Sequence, residues 1–188
     1  MPLMVRQNIL LATAFLLLLG TPLAAEAQDE TGWGVSAAIG SSQIRDEDGA
    51  DTFSGSGFGM SAEFEYRFTQ NFALGFGGFS LGRADDDFGG VDTEIEVRGY
   101  TLFGRVIFPV SDSTEIFGRI GAANYFVDID PGSVSLDDAL FGEDAVELGF
   151  GVDFGRKEKL AFRLEGRYFN GGSDETGVLL SAGFNYQF

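Results

Sequence analysis

Counted back by twos from the C-terminus, Phe188, Tyr186, Phe184, Ala182, Leu180 and Val178 are apolar or aromatic, while Gln187, Asn185, Gly183 and Ser181 between them are small or polar. A period of two marks an extended strand with unlike faces, because successive side chains leave a strand on opposite sides. The apolar face here suits contact with lipid, and the other suits a wet or tightly packed interior. The same alternation recurs upstream and divides residues 31–188 into eight strand-like segments.

The segments are expected at about Thr31 to Ser41, Gly57 to Phe68, Phe72 to Arg83, Glu94 to Phe108, Glu115 to Val127, Glu147 to Phe154, Leu160 to Tyr168 and Val178 to Phe188. The second is the clearest: Phe58, Met60, Ala62, Phe64, Tyr66 and Phe68 alternate with Gly59, Ser61, Glu63, Glu65 and Arg67. In the third, the parity blurs at Gly77-Gly78, where a bulge is expected. Long acidic segments and short turns connect the strands alternately. The short ones include Thr69-Gln70-Asn71 and the basic Arg156-Lys157-Glu158-Lys159.

Period-two alternation also describes a soluble barrel whose apolar face points inward, and volume decides between the two. Eight strands enclose a space just wide enough for side chains, too little for ladders of Phe, Tyr and Leu. The apolar face therefore points outward. The expected fold is all-β, an eight-stranded antiparallel up-and-down transmembrane β-barrel.

The N-terminus fits export. Arg6 precedes the apolar run Ile9 to Leu19, a Gly20-Thr21-Pro22 break and Ala25-Glu26-Ala27. The run is shorter than the ~20 residues a spanning helix needs, so residues 1–27 read as a signal peptide and 28–188 as the barrel domain. The chain has no cysteine, which leaves stability to a closed hydrogen-bonded architecture. The net charge of −17 repels nucleic acid, so no nucleic-acid partner is expected. Glycine and phenylalanine, at 28 and 20 residues, fit strands with aromatics outside and room inside.

The inward parity collects Glu63, Glu65, Glu147, Asp153 and Glu165 with Arg67, Arg105, Arg119, Arg163 and Arg167. Charges inside a barrel are tolerable when paired, and arginine pairs with carboxylates bidentately. The expectation is a salt-bridged polar plug; the functional alternative is a charged pore constriction. The remaining acids sit mainly in four between-strand segments: Asp46-Glu47-Asp48 with Asp51, Asp85-Asp86-Asp87 with Asp92, Asp128 to Asp144, and Asp174-Glu175. Within the third, Val134, Leu136, Leu140 and Phe141 offer an apolar contact to a partner or a cap for the barrel.

Nothing in the chain assembles catalytic chemistry. There is no histidine and no cysteine, and the only lysines, Lys157 and Lys159, fall in a short turn. The acidic clusters lack the alternating ligands and final glutamate of an EF-hand, so no metal site is assigned. Gly55-Ser56-Gly57-Phe58-Gly59 lacks the lysine and helix of a phosphate loop. No cofactor is expected.

With leader, eight ladders, acidic connections and aromatic terminus together, the chain resembles the OmpA-like/OmpX-like family of small outer-membrane β-barrels. The stretches carrying the resemblance are residues 63–72 (EFEYRFTQNF), 163–169 (RLEGRYF) and 184–188 (FNYQF). The resemblance implies periplasmic termini, four surface loops and outer-membrane lipid as surroundings. It also implies an assembly signal at Phe188, Tyr186 and Phe184 that is read by the barrel assembly machinery. Larger members continue into a peptidoglycan-binding domain, and that tethering role is not expected here. The function expected is a non-enzymatic structural or surface-interaction protein whose loops meet an extracellular partner. The alternative is a narrow porin-like channel or a path for small molecules. A histidine-free hydrolase, which would need an inward carboxylate or serine constellation, ranks last.

Overall fold

The structure, a computed structural model, describes residues 31–48, 51–88, 91–130, 143–155, 159–171 and 175–188. These form eight strands: β1 (Gly32–Asp48), β2 (Asp51–Thr69), β3 (Phe72–Phe88), β4 (Val91–Ser111), β5 (Thr114–Asp130), β6 (Glu143–Phe154), β7 (Leu160–Asn170) and β8 (Thr176–Gln187). Each is antiparallel to its sequence neighbours, and β8 zips onto β1 from Gly34↔Gln187 to Arg45↔Thr176. Closure pairs the first strand with the last and so removes the free edges that an open sheet would present to aggregation.

The start of β1, the end of β8 and the short connections share one end, here the lower. There Thr69 Oγ1 accepts the Asn71 amide at 3.2 Å and Ser111 Oγ accepts that of Ser113 at 3.3 Å, each closing a tight turn. Gly155, with φ of +96°, turns the chain out of β6 and donates its amide to the Ser113 carbonyl at 2.8 Å.

Alternation places Phe58, Met60, Phe64, Phe68, Phe76, Tyr100, Leu102, Phe108, Phe150, Leu164, Leu180 and Phe184 on the exposed outer wall. Along β2 this apolar ladder runs from Phe58 to Phe68. At a strand rise of ~3.4 Å and a tilt of about 40°, that span is roughly 25 Å tall, the height of a bilayer's hydrocarbon band. Aromatic pairs finish the lower edge: Trp33 with Tyr66, Tyr66 with Phe68, and Tyr186 with Phe188.

Three expectations are corrected. The clusters Asp46-Glu47-Asp48 with Asp51 and Asp85-Asp86-Asp87 with Asp92 lie within strands, in registers such as Asp48↔Asp51 and Asp87↔Asp92. Aspartate disfavours strand intrinsically, but a ladder already anchored in the barrel carries its cross-strand pairing on through such residues. Val134, Leu136, Leu140 and Phe141 lie outside the described residues. The bulge expected at Gly77-Gly78 falls instead between Ser80 and Gly82, with a further irregularity between Arg67 and Thr69. Finally, the interior is not built only of small and charged residues: beside Phe103 and Phe117, which share the inward parity of Arg105 and Arg119, Phe79, Phe169 and Leu179 are buried inside it.

Glycine makes that room. A Cβ at Gly75 would collide with the ring of Phe103, one at Gly151 with Phe117, one at Gly149 with Arg119 and one at Gly99 with Phe79. Each large inward side chain thus lies across a neighbouring strand position that has no side chain.

Candidate functional site

The lumen is filled in layers. At the floor, Arg67 of β2 reaches Glu115 of β5 through Nη1 at 3.1 Å and Nη2 at 2.7 Å. It also donates to the carbonyls of Thr69 and Gln70, tying the β2–β3 turn to the far wall. Ala73, Ile107 and Phe117 pack above this pair.

The middle is a cross-braced charge network. Arg163 chelates Asp153 through Nε at 2.7 Å and Nη2 at 2.8 Å, and Arg105 bridges Glu65 at 2.5 Å and Asp153 at 3.3 Å. One turn of the ladder higher, Arg119 contacts three carboxylates: Glu63 at 2.9 Å, Glu165 at 3.0 Å and Glu147 at 3.0 Å. Arg167 pairs with Glu147 at 2.5 Å and Glu63 at 3.1 Å. Neutral donors complete the set: Thr101 donates to Glu147, Ser36 to Glu63 at 3.5 Å and Asn185 to Glu65 at 3.3 Å.

These bonds link β2 to β4, β5 and β7 across the lumen, and not only along it. Glu147 and Arg119 have side chains that are 0% exposed. Buried charges need both partners and further hydrogen bonds to offset desolvation, and this network supplies both. Guanidinium faces lacking an oxygen partner meet aromatic rings. Arg105 lies 3.6 Å from the Phe117 ring centre, Arg119 3.7 Å from that of Phe103, and Arg167 between Phe79 and Phe169 at 5.5 and 5.1 Å. Nε of Arg105 and both Nη1 and Nη2 of Arg167 make no hydrogen bond. An arginine held over a desolvated ring gains ~2 kcal/mol from that contact.

Above the charges the interior becomes apolar: Ile44, Phe79, Leu81, Val97, Ala123, Tyr125, Ala145, Phe169 and Leu179 form one buried cluster. Its rim is tied by Tyr125, whose hydroxyl donates to Glu175 at the start of β8. From floor to rim, described side chains occupy the lumen, and no catalytic constellation is among them.

The comparisons find a barrel of the same kind. The model of the outer membrane protein beta-barrel domain matches residues 11–188. The chain belongs to that family. It is accordingly a β-barrel of the bacterial outer membrane. Among solved structures, Neisserial surface protein A is similar with a TM-score of 0.63 at 16% identity, over 84% of this chain and 97% of that one. OprG from Pseudomonas aeruginosa follows at 0.56 and 15%, over 87% and 99%. Ail of Yersinia pestis, in complex with the heparin analogue sucrose octasulfate, gives 0.54 and 15%, over 84% and 99%. These likenesses are of fold. No curated protein matches the chain.

Within this family's frame, all ten charges read from inward parity lie inside the barrel and are buried: Glu63, Glu65, Arg67, Arg105, Arg119, Glu147, Asp153, Arg163, Glu165 and Arg167. One was missed. Glu115, 4% exposed, makes six buried carboxylates against five buried arginines among the described residues. Its signal was present, since it shares parity with inward Phe117 and Arg119, but its place at the start of a strand hid it. Phe188 is bound to the wall through its amide, which donates to the Trp33 carbonyl at 2.9 Å, while the rings of Phe184, Tyr186 and Phe188 face outward.

Proposed function

We propose that this barrel is a non-enzymatic structural or surface-interaction protein of the outer membrane, with its lumen closed and its upper hairpins as the working surface. The observation that carries this reading is the cross-lumen network, in which Arg119 engages carboxylates of β2, β6 and β7 at once. A conducting path would have to break several of these ion pairs together. The chain has neither histidine nor cysteine, which removes the usual proton carrier and the most reactive nucleophile and supports a non-catalytic role.

Residues 1–27 act as the export signal in this reading, and Phe188, Tyr186 and Phe184 as the signal for the barrel assembly machinery. The hairpin tips carry Asp46, Glu47, Asp48 and Asp85 to Asp87, so the extracellular partner proposed is neutral or basic. In this the chain differs from Ail, whose complex holds a sulfated sugar.

The test is single-channel conductance of the refolded protein in a planar bilayer, with and without Arg105→Ala and Arg119→Ala. The expected result is a silent wild type. Discrete openings that change with those substitutions would make the protein a narrow channel lined by its arginines.

A further inference from the structure

Where β6, β7, β8 and β1 lie side by side, the outer wall is indented by a groove of about 500 Å3. Gly166 and Ala182 form its floor, and Phe150, Leu164, Leu180 and Ile39 stand around it. Register explains the shape. One row of outward positions runs Phe150↔Gly166↔Leu180 and the next runs Leu164↔Ala182↔Ile39, so the two small residues are diagonal neighbours among four large exposed ones. A Cβ at Gly166 would meet only the far end of the Leu180 side chain, at 3.3 Å, so packing does not demand glycine there.

The groove lies in the lipid-facing wall, and its depth follows from the strand. Leu164 and Gly166 are five and seven residues beyond Lys159. At a rise of ~3.4 Å and a tilt of about 40°, they stand roughly 13 and 18 Å above it along the barrel axis. Half the hydrocarbon thickness of a bilayer is about 15 Å, so the groove is at the height reached by the acyl chain of a lipid whose headgroup is level with Lys159.

Charge singles out the same sector at its lower end. The β6–β7 connection, residues 155–159, holds Arg156, Lys157 and Lys159 against Glu158, whereas the other short connections hold Gln70 and Asn71 or Asp112 and Ser113. A chain of net charge −17 thus places its only lysines directly beneath two of the strands that frame the groove. Lys159 is exposed, and its carbonyl accepts the Gln187 amide at 2.8 Å, which fixes it beside the end of β8. Between Lys159 and the groove runs the aromatic row Phe154, Phe162 and Phe184, with ring centres 6.5 and 5.7 Å apart.

We propose that an anionic phospholipid of the leaflet at the lower end binds here, its phosphate on the basic β6–β7 connection at Lys159 and one acyl chain in the groove over Gly166 and Ala182. Cations beside a membrane surface attract anionic headgroups, and a floor without large side chains lets the chain gain dispersion contacts with the wall. The site rests on the membrane placement of the barrel and is independent of whether the lumen conducts.

The test titrates the refolded protein in detergent micelles with dioleoyl phosphatidylglycerol, dioleoyl phosphatidylcholine, dihexanoyl phosphatidylglycerol or bisphosphorylated lipid A. Native mass spectrometry reads the bound fraction, and heat-modifiable gel mobility checks folding separately. Wild type should bind dioleoyl phosphatidylglycerol most tightly, since among these phospholipids it alone has both the charge and the chain length. R156Q/K157Q/K159Q, altered outside the strands, should lower that affinity roughly a hundredfold, at about fivefold for each cation lost. G166L/A182L should abolish the advantage of the long chain and keep the preference for the anionic headgroup. Where a multiple variant does not fold, K159Q and A182L carry the test. Equal binding of the two dioleoyl lipids by wild type, or unchanged affinity in the Gln variants, would overturn the headgroup site. An unchanged chain-length preference in the Leu variants would overturn the groove as the seat of the chain. Preferential binding of lipid A, lost with the same substitutions, would overturn the phospholipid assignment.

Discussion

Phe103 lies over Gly75 on one neighbouring strand and Gly121 on the other, and Phe117 over Gly151. This pairing lets a barrel of the smallest common size hold aromatic rings and arginines together. Gly75→Ala should cost about 1–3 kcal/mol by overpacking, and Phe103→Leu in the same molecule should recover part of it. Reversible denaturant unfolding in lipid measures both; an unchanged midpoint for Gly75→Ala would mean that the Phe103 ring is free to move. Arg119 carries a larger effect because three carboxylates depend on it. Arg119→Met leaves Glu63, Glu147 and Glu165 short of a partner in a dry interior, and a loss of about 3–5 kcal/mol is expected in the same assay. These charges were legible in the sequence as a set of inward positions. Which arginine meets which carboxylate was not, because the partners lie on strands that are far apart in sequence and meet only across the lumen.

At the scale of the strand, the outward ladders were readable because lipid imposes a strict period of two on every segment that crosses it. Phe64 stands at the middle of the β2 ladder between Phe58 and Phe68, and Phe162 lies near the lower edge, one outward position from Leu160. Phe64→Arg should therefore cost ~2–4 kcal/mol and Phe162→Arg only about 0–1 kcal/mol, a depth dependence checked by unfolding both variants in lipid vesicles. Equal costs would mean that the barrel sits in the bilayer at another height. Strand ends were read poorly. Residues such as Asp85 to Asp87 have low strand propensity, and the reading stopped there, whereas the cross-strand hydrogen bonds of an anchored hairpin carry the ladder on to Phe88↔Val91. The β3 bulge escaped for a related reason: Gly77, Gly78 and Gly82 look alike in sequence, and only the register with β4 shows which of them sits where the spacing changes.

For the whole molecule, closure depends on β8 binding β1 along its length, and the ring of Phe188 lies at the lower collar beside Tyr186. Removal of Phe188 leaves that pairing almost intact but takes away the end of the proposed assembly signal. Fewer folded, heat-modifiable molecules should then reach the outer membrane, while refolding of the purified variant into vesicles should proceed nearly unchanged. Normal amounts in the membrane would count against the signal. The sequence by itself determined the number of strands, the face each turns to lipid and most of the charges that go inside, because the two solvents of a membrane barrel act on every residue locally. Only the tertiary structure decided how the inward charges pair, that large rings fill the space left by glycines on adjacent strands, and that one bulge moves Arg83 from the inward parity of Phe79 and Leu81 to the outer wall beside Glu96. Those outcomes depend on contacts between strands, and a period of two along one strand carries no information about its neighbours' register.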